Sequence, residues 1–381
     1  MIISGIAWCG YALPFRKWYV DAGSAATTRF GLLVFLRTND GITGIGEASP
    51  VGVGNLAGVH DIVSSLEKIV PQLLDNHIKA ADRIIAQGLP PALIFGLETA
   101  LLDIRGQHDR VPLTALIGGK PAKLAVNATI VSGSPEQAAS EAGSVAECGF
   151  SCVKLKVGKN TLEEDEAVVA AVRQSVGPEV LIRLDANQAW SVDQAIDAIK
   201  LFSLYNIEYV EQPVKAEDIA GMAKVRRAVR VPIAADESLT SIVDLQRLLE
   251  AAAADVFIIK AARLGGFKKS LRVVGEAVRR GHRVVVTTSL ESGIGIAASA
   301  HLAAAVPPQP IAHGLATGLL LEDDLRSEIW LIEDGFLQTP AGHGLGVNLN
   351  AASLKKYSSG IIGSVGSPAA FEEYLGDNQR R

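Results

Sequence analysis

Cysteine is scarce in this chain of 381 residues. There are three, Cys9, Cys148 and Cys152, with no CxxC pair among them. That excludes a disulfide-stapled framework and points to a reducing compartment. Long apolar runs are absent too. The most hydrophobic stretch, "AAAVPPQPIAHGLATGLLL", is broken by three prolines and is not read as a membrane span. The opening "MIISGIAWCGYALPF" lacks a cationic leader and a long apolar core, so no signal peptide is expected. Nor is there an excess of basic charge. With 36 basic and 41 acidic residues the formal net charge is −5, which argues against a nucleic-acid or anionic-membrane surface as the main partner. The expected setting is the cytoplasm.

What is present is an ordinary globular balance, 48% hydrophobic and 20% charged, in a chain long enough for two structural domains. The first 120 or so residues read as a small α+β unit. "RFGLLVFLRTNDGITGIGEASP" gives two apolar runs around a turn at Asn39-Asp40-Gly41. Helical spacing follows at about 61–74 and 91–107. From about Lys123 the rhythm changes. Eight short apolar runs, from "LAVNATIV" to "PIAHGLA", alternate with amphipathic stretches such as "EEDEAVVAAVRQSV" and "FKKSLRVVGEAVRRG". Strand and helix alternating at this density predict parallel βαβ units closed into a barrel. An open doubly wound sheet would carry a glycine-rich phosphate loop after its first strand. Here that place reads "SGSPEQAA".

Charged residues end the central runs: Lys156, Asp185, Glu211, Asp236 and Lys260. They are spaced by 29, 26, 25 and 24 residues, one βα unit each time. In a barrel the C-terminal strand ends share one face, so these five charges are predicted to converge. Any one acid could be a simple turn or helix cap. Three on consecutive strands, framed by lysines, predict a bound cation that relieves their repulsion. No histidine or cysteine ends these strands, so a hard ion, Mg²⁺ with Mn²⁺ as substitute, is expected. The seven histidines, including His313 near the expected mouth, show no metal-like spacing.

Lysine is a poor base at its ordinary pKa near 10.4. Lys154 and Lys156 alternate onto one strand face, so the second ammonium and the cation are expected to weaken the hold of Lys156 on its proton. Lys260 approaches from strand six. Two lysines across a carboxylate suit removal of the proton α to it, with the metal and Lys260 holding the resulting enediolate charge.

The ordered set "VKLKVG", "IRLDANQAW", "YVEQPV", "ADESL", "IIKAARLGG" and "TSLESGIG", with "GEASP" and "FGLETALLDIRGQ" earlier, resembles the enolase superfamily and its muconate lactonizing enzyme subgroup. The resemblance implies a modified TIM barrel, (β/α)7β, over residues 123–334, and an α+β capping domain over 1–122 completed by about 335–381. It implies metal ligands Asp185, Glu211 and Asp236, catalytic lysines Lys156 and Lys260 supported by Lys154, and Asn187 and Glu237 behind them. Capping loops at about 16–29 and 49–58 would close over the substrate. A mandelate racemase-like site would need a histidine on strand seven, and "RVVVTTSLESG" has none. Dipeptide epimerases carry an acidic D-x-D pair on strand eight, where this chain reads "AHGLATGLL". Within the subgroup the chain looks like the o-succinylbenzoate synthases, lyases that dehydrate 2-succinyl-6-hydroxy-2,4-cyclohexadiene-1-carboxylate on the way to menaquinone or phylloquinone. Ser289, Glu291, Ser292 and Gly293 are then the expected contacts to the remote succinyl end. N-succinyl or N-acylamino-acid racemase, muconate cycloisomerase and dipeptide epimerase are the alternative enzymes. A catalytically dead barrel serving as a binding module is the alternative of another class. The expected partner is a small-molecule carboxylate, and homo-oligomerisation is left open.

Overall fold

The structure is a computed structural model that describes residues 1–20, 25–85, 88–328 and 332–366. Part of the first capping loop, 21–24, and the polar end of the chain, 367–381, lie outside the described residues. Strands β1 (Ile3–Val20), β2 (Ala25–Thr38) and β3 (Thr43–Ala48) form an antiparallel meander. The β2–β3 turn falls at Asn39–Asp40–Gly41, as expected. Helix α1 (Leu56–Leu73) begins before Asp61 because the Asn55 side chain accepts from Gly58 N and starts the helix there. After α2 (Ile78–Ile84) comes α3 (Pro91–Asp109), which lies directly on β3. A Cβ on Gly46 would stand 1.9 Å from the Gly96 carbonyl oxygen, so helix and strand backbones touch.

A short helix α4 (Leu113–Leu116) and strand β4 (Lys123–Ala125) lead into the barrel. Its strands are β5 (Ala128–Ile130), β6 (Cys152–Lys156), β7 (Leu181–Asp185), β8 (Ile207–Glu211), β9 (Ile233–Ala235), β10 (Val256–Ile259) and β11 (Arg283–Val286), parallel throughout and paired in chain order. Between them run α5 (Pro135–Glu147), α6 (Leu162–Val176), α7 (Val192–Phe202), α8 (Ile219–Ala228), α9 (Ile242–Glu250), and the pair α10 (Ala261–Leu264) and α11 (Phe267–Arg279). Helix α12 (Gly293–Ala304) follows β11. Capping boxes at Thr161/Glu164 and Ser191/Gln194 start α6 and α7 at the places the sequence marks.

The eighth run closes the barrel with very little strand. Gly314 bridges Thr287 on one side and His313 bridges Val126 on the other, both in parallel. Strand residues alternate between two destinations. Leu155, Leu184, Val210, Ile233, Phe257 and Val284 pack outward with the helices in the main core. Tyr209, Ala234, Val256, Ile258, Val285 and Ile311 fill the barrel interior.

The chain then returns through β12 (Ile332–Glu333), β13 (Phe336–Gln338), α13 (Ala351–Lys356) and β14 (Ser358–Gly366). Strand β13 pairs with β4, while the glycine-rich loop docks on α3 through Leu345 N to Asp103 at 2.8 Å. Strand β14 pairs with β1 as the outer strand of the first sheet. Among the described residues no helix is long and apolar enough to cross a membrane, and all three cysteines are unpaired.

Candidate active site

Lys156, Asp185 and Glu211 are the last residues of β6, β7 and β8 and lie side by side in register. Asp236 and Lys260 follow the last residues of β9 and β10. The five expected charges therefore stand at one end of the barrel. Strands β6 and β10 are four apart among eight, so Lys156 and Lys260 approach from opposite sides.

The arrangement is a set of buried ion pairs. Lys154 Nζ lies 2.8 Å from Asp185 Oδ2 and 2.8 Å from Glu211 Oε1. Lys156 Nζ lies 2.9 Å from the same Asp185 oxygen and donates to Asn187 Oδ1 at 2.6 Å. Across the barrel, Asp236 accepts from Lys260 at 2.6 Å and from Arg263 at 2.6 Å. Asn187, held at a positive φ of 41°, passes its amide to Glu237 Oε1 at 3.0 Å. The other Glu237 oxygen, Oε2, is buried without a partner.

These contacts set the proton affinities. Burial works against ionisation of Asp185, but Lys154 and Lys156 outweigh it and hold the carboxyl well below the usual range. Asp236 is likewise held to about 2 against burial, by Arg263 and Lys260. Burial, with Asp185 beside it, pushes Glu211 up to about 7. Burial also works against the charge on Lys154 and Lys156, yet Asp185 raises both above ordinary lysine, and Glu211 adds to the rise at Lys154. The two amines share a carboxylate oxygen, so with no cation at the site acid attraction outweighs the repulsion between the ammonium groups.

The donor set tests the expected cation. Three buried carboxylates on neighbouring strands, with the orphan Glu237 oxygen near them, offer only hard oxygen donors, which fits Mg²⁺ or Mn²⁺. Among the described residues, however, no three acidic, histidine or cysteine side chains are gathered closely enough to hold one ion. Asp185 is taken up by Lys154 and Lys156, Glu211 by Lys154, and Asp236 by Lys260 and Arg263. An ion would compete with Lys154 and Lys260 for those oxygens.

A cavity of about 730 Å³ opens above the charges. The barrel lines it with Lys154, Lys156, Asp185, Asn187, Glu211, Glu237, Lys260 and Arg263, and the first unit adds Tyr19 and Val51–Val53. Both capping loops expected from the sequence thus reach the cavity. Of the four residues expected to grip the remote substrate end, Ser289 lines the cavity, and its buried Oγ has no partner. Glu291, Ser292 and Gly293 do not line it. Glu291 accepts from Ser289 N, Ser292 Oγ donates to Glu47 at 2.6 Å, and Gly293 packs against Arg326. His313 is buried, accepts from Val286 N, and is kept neutral by burial, which lowers it to about 4.

Sequence reasoning missed several residues. Arg263 lies one helical turn beyond Lys260, a signal visible in "KAAR". Glu47 accepts from Ser292 N and Gly295 N at the start of α12. Glu98 accepts from Phe267 N at 2.5 Å at the start of α11. These two acids hold the first unit on the barrel through helix N-termini, where carboxylates are favoured.

Comparison with known proteins follows the same outline. A family profile described as "Mandelate racemase / muconate lactonizing enzyme, N-terminal domain" matches residues 17–118, and one described as "Enolase C-terminal domain-like" matches 137–353. The o-succinylbenzoate synthase of Thermobifida fusca is 43% identical over 214 residues, 56% of this chain and 65% of that protein. The muconate lactonizing enzyme of Pseudomonas fluorescens, solved with muconolactone, superimposes with a TM-score of 0.89 at 30% identity, covering 94% of this chain and 99% of that one. The dipeptide epimerase of Cytophaga hutchinsonii, solved with Mg and the dipeptide D-Ala-L-Val, gives 0.86 at 26% identity, covering 96% and 99%. The chain belongs to the enolase superfamily, in its muconate lactonizing enzyme subgroup.

Proposed function

We propose that this protein is an o-succinylbenzoate synthase, a hydro-lyase acting on a dicarboxylate, with residues 1–122 capping a barrel of 123–334. The observation that carries this reading is the charge of the cavity lining. Lys154, Lys156, Lys215, Lys260 and Arg263 face Asp185, Glu211 and Glu237, with Asp236 behind the lining paired to Lys260 and Arg263. The eighth-strand segment contributes Gly314, Thr317 and Leu320, with no acid. A substrate ammonium has no counter-charge on that side, whereas a second carboxylate meets an excess of cations. That favours a dicarboxylate over a dipeptide.

Asp185, Glu211 and Asp236 would hold a divalent cation once Lys154 and Lys260 gave up their oxygens, and the cation would supply a grip on the substrate carboxylate and offset the charge that develops on it. Lys156, oriented by Asn187, removes the α-proton. It then returns a proton to the departing hydroxyl, so that one water leaves and the ring gains its double bond. Lys260, on the opposite side, stabilises the charge that develops on the substrate. Tyr19, Val51, Val53 and Leu290 supply an apolar part of the lining against which the remote group would pack.

The position of Lys260 supports a second reading. A lysine on each face permits removal of a proton by one and return by the other, which is racemisation of an N-acylamino acid. The test is turnover of the cyclohexadiene dicarboxylate with and without Mg²⁺, beside racemisation of N-succinyl amino acids. Metal-dependent dehydration supports the synthase. Racemisation as the sole activity overturns it in favour of the second reading.

A further inference from the structure

Two walls of the cavity belong to different parts of the fold. Gly52, with Val51 and Val53 beside it, comes from the loop after β3, and Ser289 and Leu290 come from the loop after β11. One buried side chain joins them. Arg29, on β2, is 0% exposed. Its Nε donates to the Leu290 carbonyl at 3.0 Å, and its Nη1 donates to the Pro50 and Gly52 carbonyls at 2.9 Å each. The neighbouring Thr28 carbonyl accepts from Gly54 N at 3.2 Å, so the loop is held at a further point from the same strand.

The second wall needs that hold, and the glycines of the first leave it free to take the shape the hold sets. Gly52 and Gly54 have positive φ of 88° and 67°, and Leu290, a branched residue, has φ of 66°. An L-residue with a side chain pays for the left-handed region unless its surroundings fix it there. The Leu290 carbonyl turned onto Arg29 is such a fixture. Glu291 lies near the guanidinium: burial, with Glu47 beside it, pushes that carboxyl up to about 7, and Arg29 works against the rise.

We infer that Arg29 is a positioning residue that locks the capping loop at 50–53 to the seventh barrel loop, and so sets the remote wall of the substrate cavity. It touches neither the lysines nor the acids at the strand ends. It is therefore assigned to binding and selectivity for the remote group, not to proton transfer. The inference rests on this cavity being the substrate site, whichever subgroup reaction occurs there.

The test compares the parent protein with Arg29→Met and Arg29→Lys. Met removes every donor. Lys keeps the positive charge but offers one ammonium where three carbonyls were bound. Hydrogen exchange followed by mass spectrometry reads segments 49–56 and 287–293, with β8 as internal reference. The expected result is faster exchange in both segments together and an unchanged β8. With whichever subgroup substrate the parent turns over, KM rises by about tenfold or more for Met and less for Lys, while kcat stays within about threefold. Should Arg29→Met not fold, Arg29→Lys decides. Folded Arg29→Lys with parental exchange in both segments overturns the inference, as does a loss confined to kcat. The exchange readout needs no substrate, so a wrong assignment of the reaction leaves it intact.

Discussion

Replacing Lys156 by alanine separates chemistry from stability. Its ammonium is within 2.9 Å of Asp185 and 2.6 Å of Asn187. Removing it does not strand Asp185, because Lys154 Nζ still lies 2.8 Å from the same oxygen. The fold should therefore lose little, about 1–2 kcal/mol for bonds to a charged group, or a few degrees in melting temperature. Catalysis should lose far more. A positioned general base contributes a factor of about 10² to 10⁴, equivalent to about 3–5 kcal/mol of barrel-borne transition-state stabilisation. Lys154→Ala is the contrast. It deprives Glu211 of its ion pair, and breaking a buried pair by removing one partner costs about 3–5 kcal/mol of stability. Steady-state turnover of the dicarboxylate, with thermal melting by circular dichroism on the same samples, reads both effects. Turnover of Lys156→Ala within tenfold of the parent refutes the assignment of the base. So does a kcat loss matched by an equal loss of folded protein.

Two further outcomes follow from the packing of the first unit. Burial raises Glu98 to about 7 from an ordinary 4.5. The folded state then keeps the proton longer than the unfolded chain, so its contribution is full below about pH 4.5 and is lost as pH rises to about 7. Glu98→Gln should flatten the fall in urea-unfolding free energy between pH 5 and 7.5 by up to about 3 kcal/mol, and an unchanged slope contradicts this. Gly46→Ala would place a methyl 1.9 Å from the Gly96 carbonyl oxygen, which forces α3 off β3. A loss of about 2 kcal/mol or more is expected from overpacking, and an unchanged melting temperature argues against the close approach.

Much of this site is legible before any coordinates because barrel geometry turns sequence spacing into proximity. Lys156, Asp185, Glu211, Asp236 and Lys260 are each one βα unit apart, and the strand ends can meet only on one face. The helices of the barrel are legible for a similar reason, since Thr161, Ser191 and Ser241 mark their own starts. What spacing does not reveal is pairing. Nothing in "VKLKVG" tells that both lysines choose one oxygen of Asp185, because that depends on how many acids face them. Glu47 and Glu98 read as ordinary helix and strand residues, yet their partners are backbone N–H groups more than 160 residues away. The eighth strand fades for a local reason, since His313 and Gly314 supply just two bridges. Glu291 and Ser292 sit in a motif that looks like a ligand grip, and their polar atoms are used to start α12 and to bind the first unit.

Exchange of the substrate α-proton with solvent decides whether the strand-end acids and Lys156 act together. Protein freed of metal by a chelator, and the same protein given Mg²⁺, are each mixed with the dicarboxylate in deuterated water and followed by nuclear magnetic resonance. Exchange and turnover should appear only with Mg²⁺ present and Lys156 intact. Equal exchange in the chelated protein, or in Lys156→Ala, would contradict it.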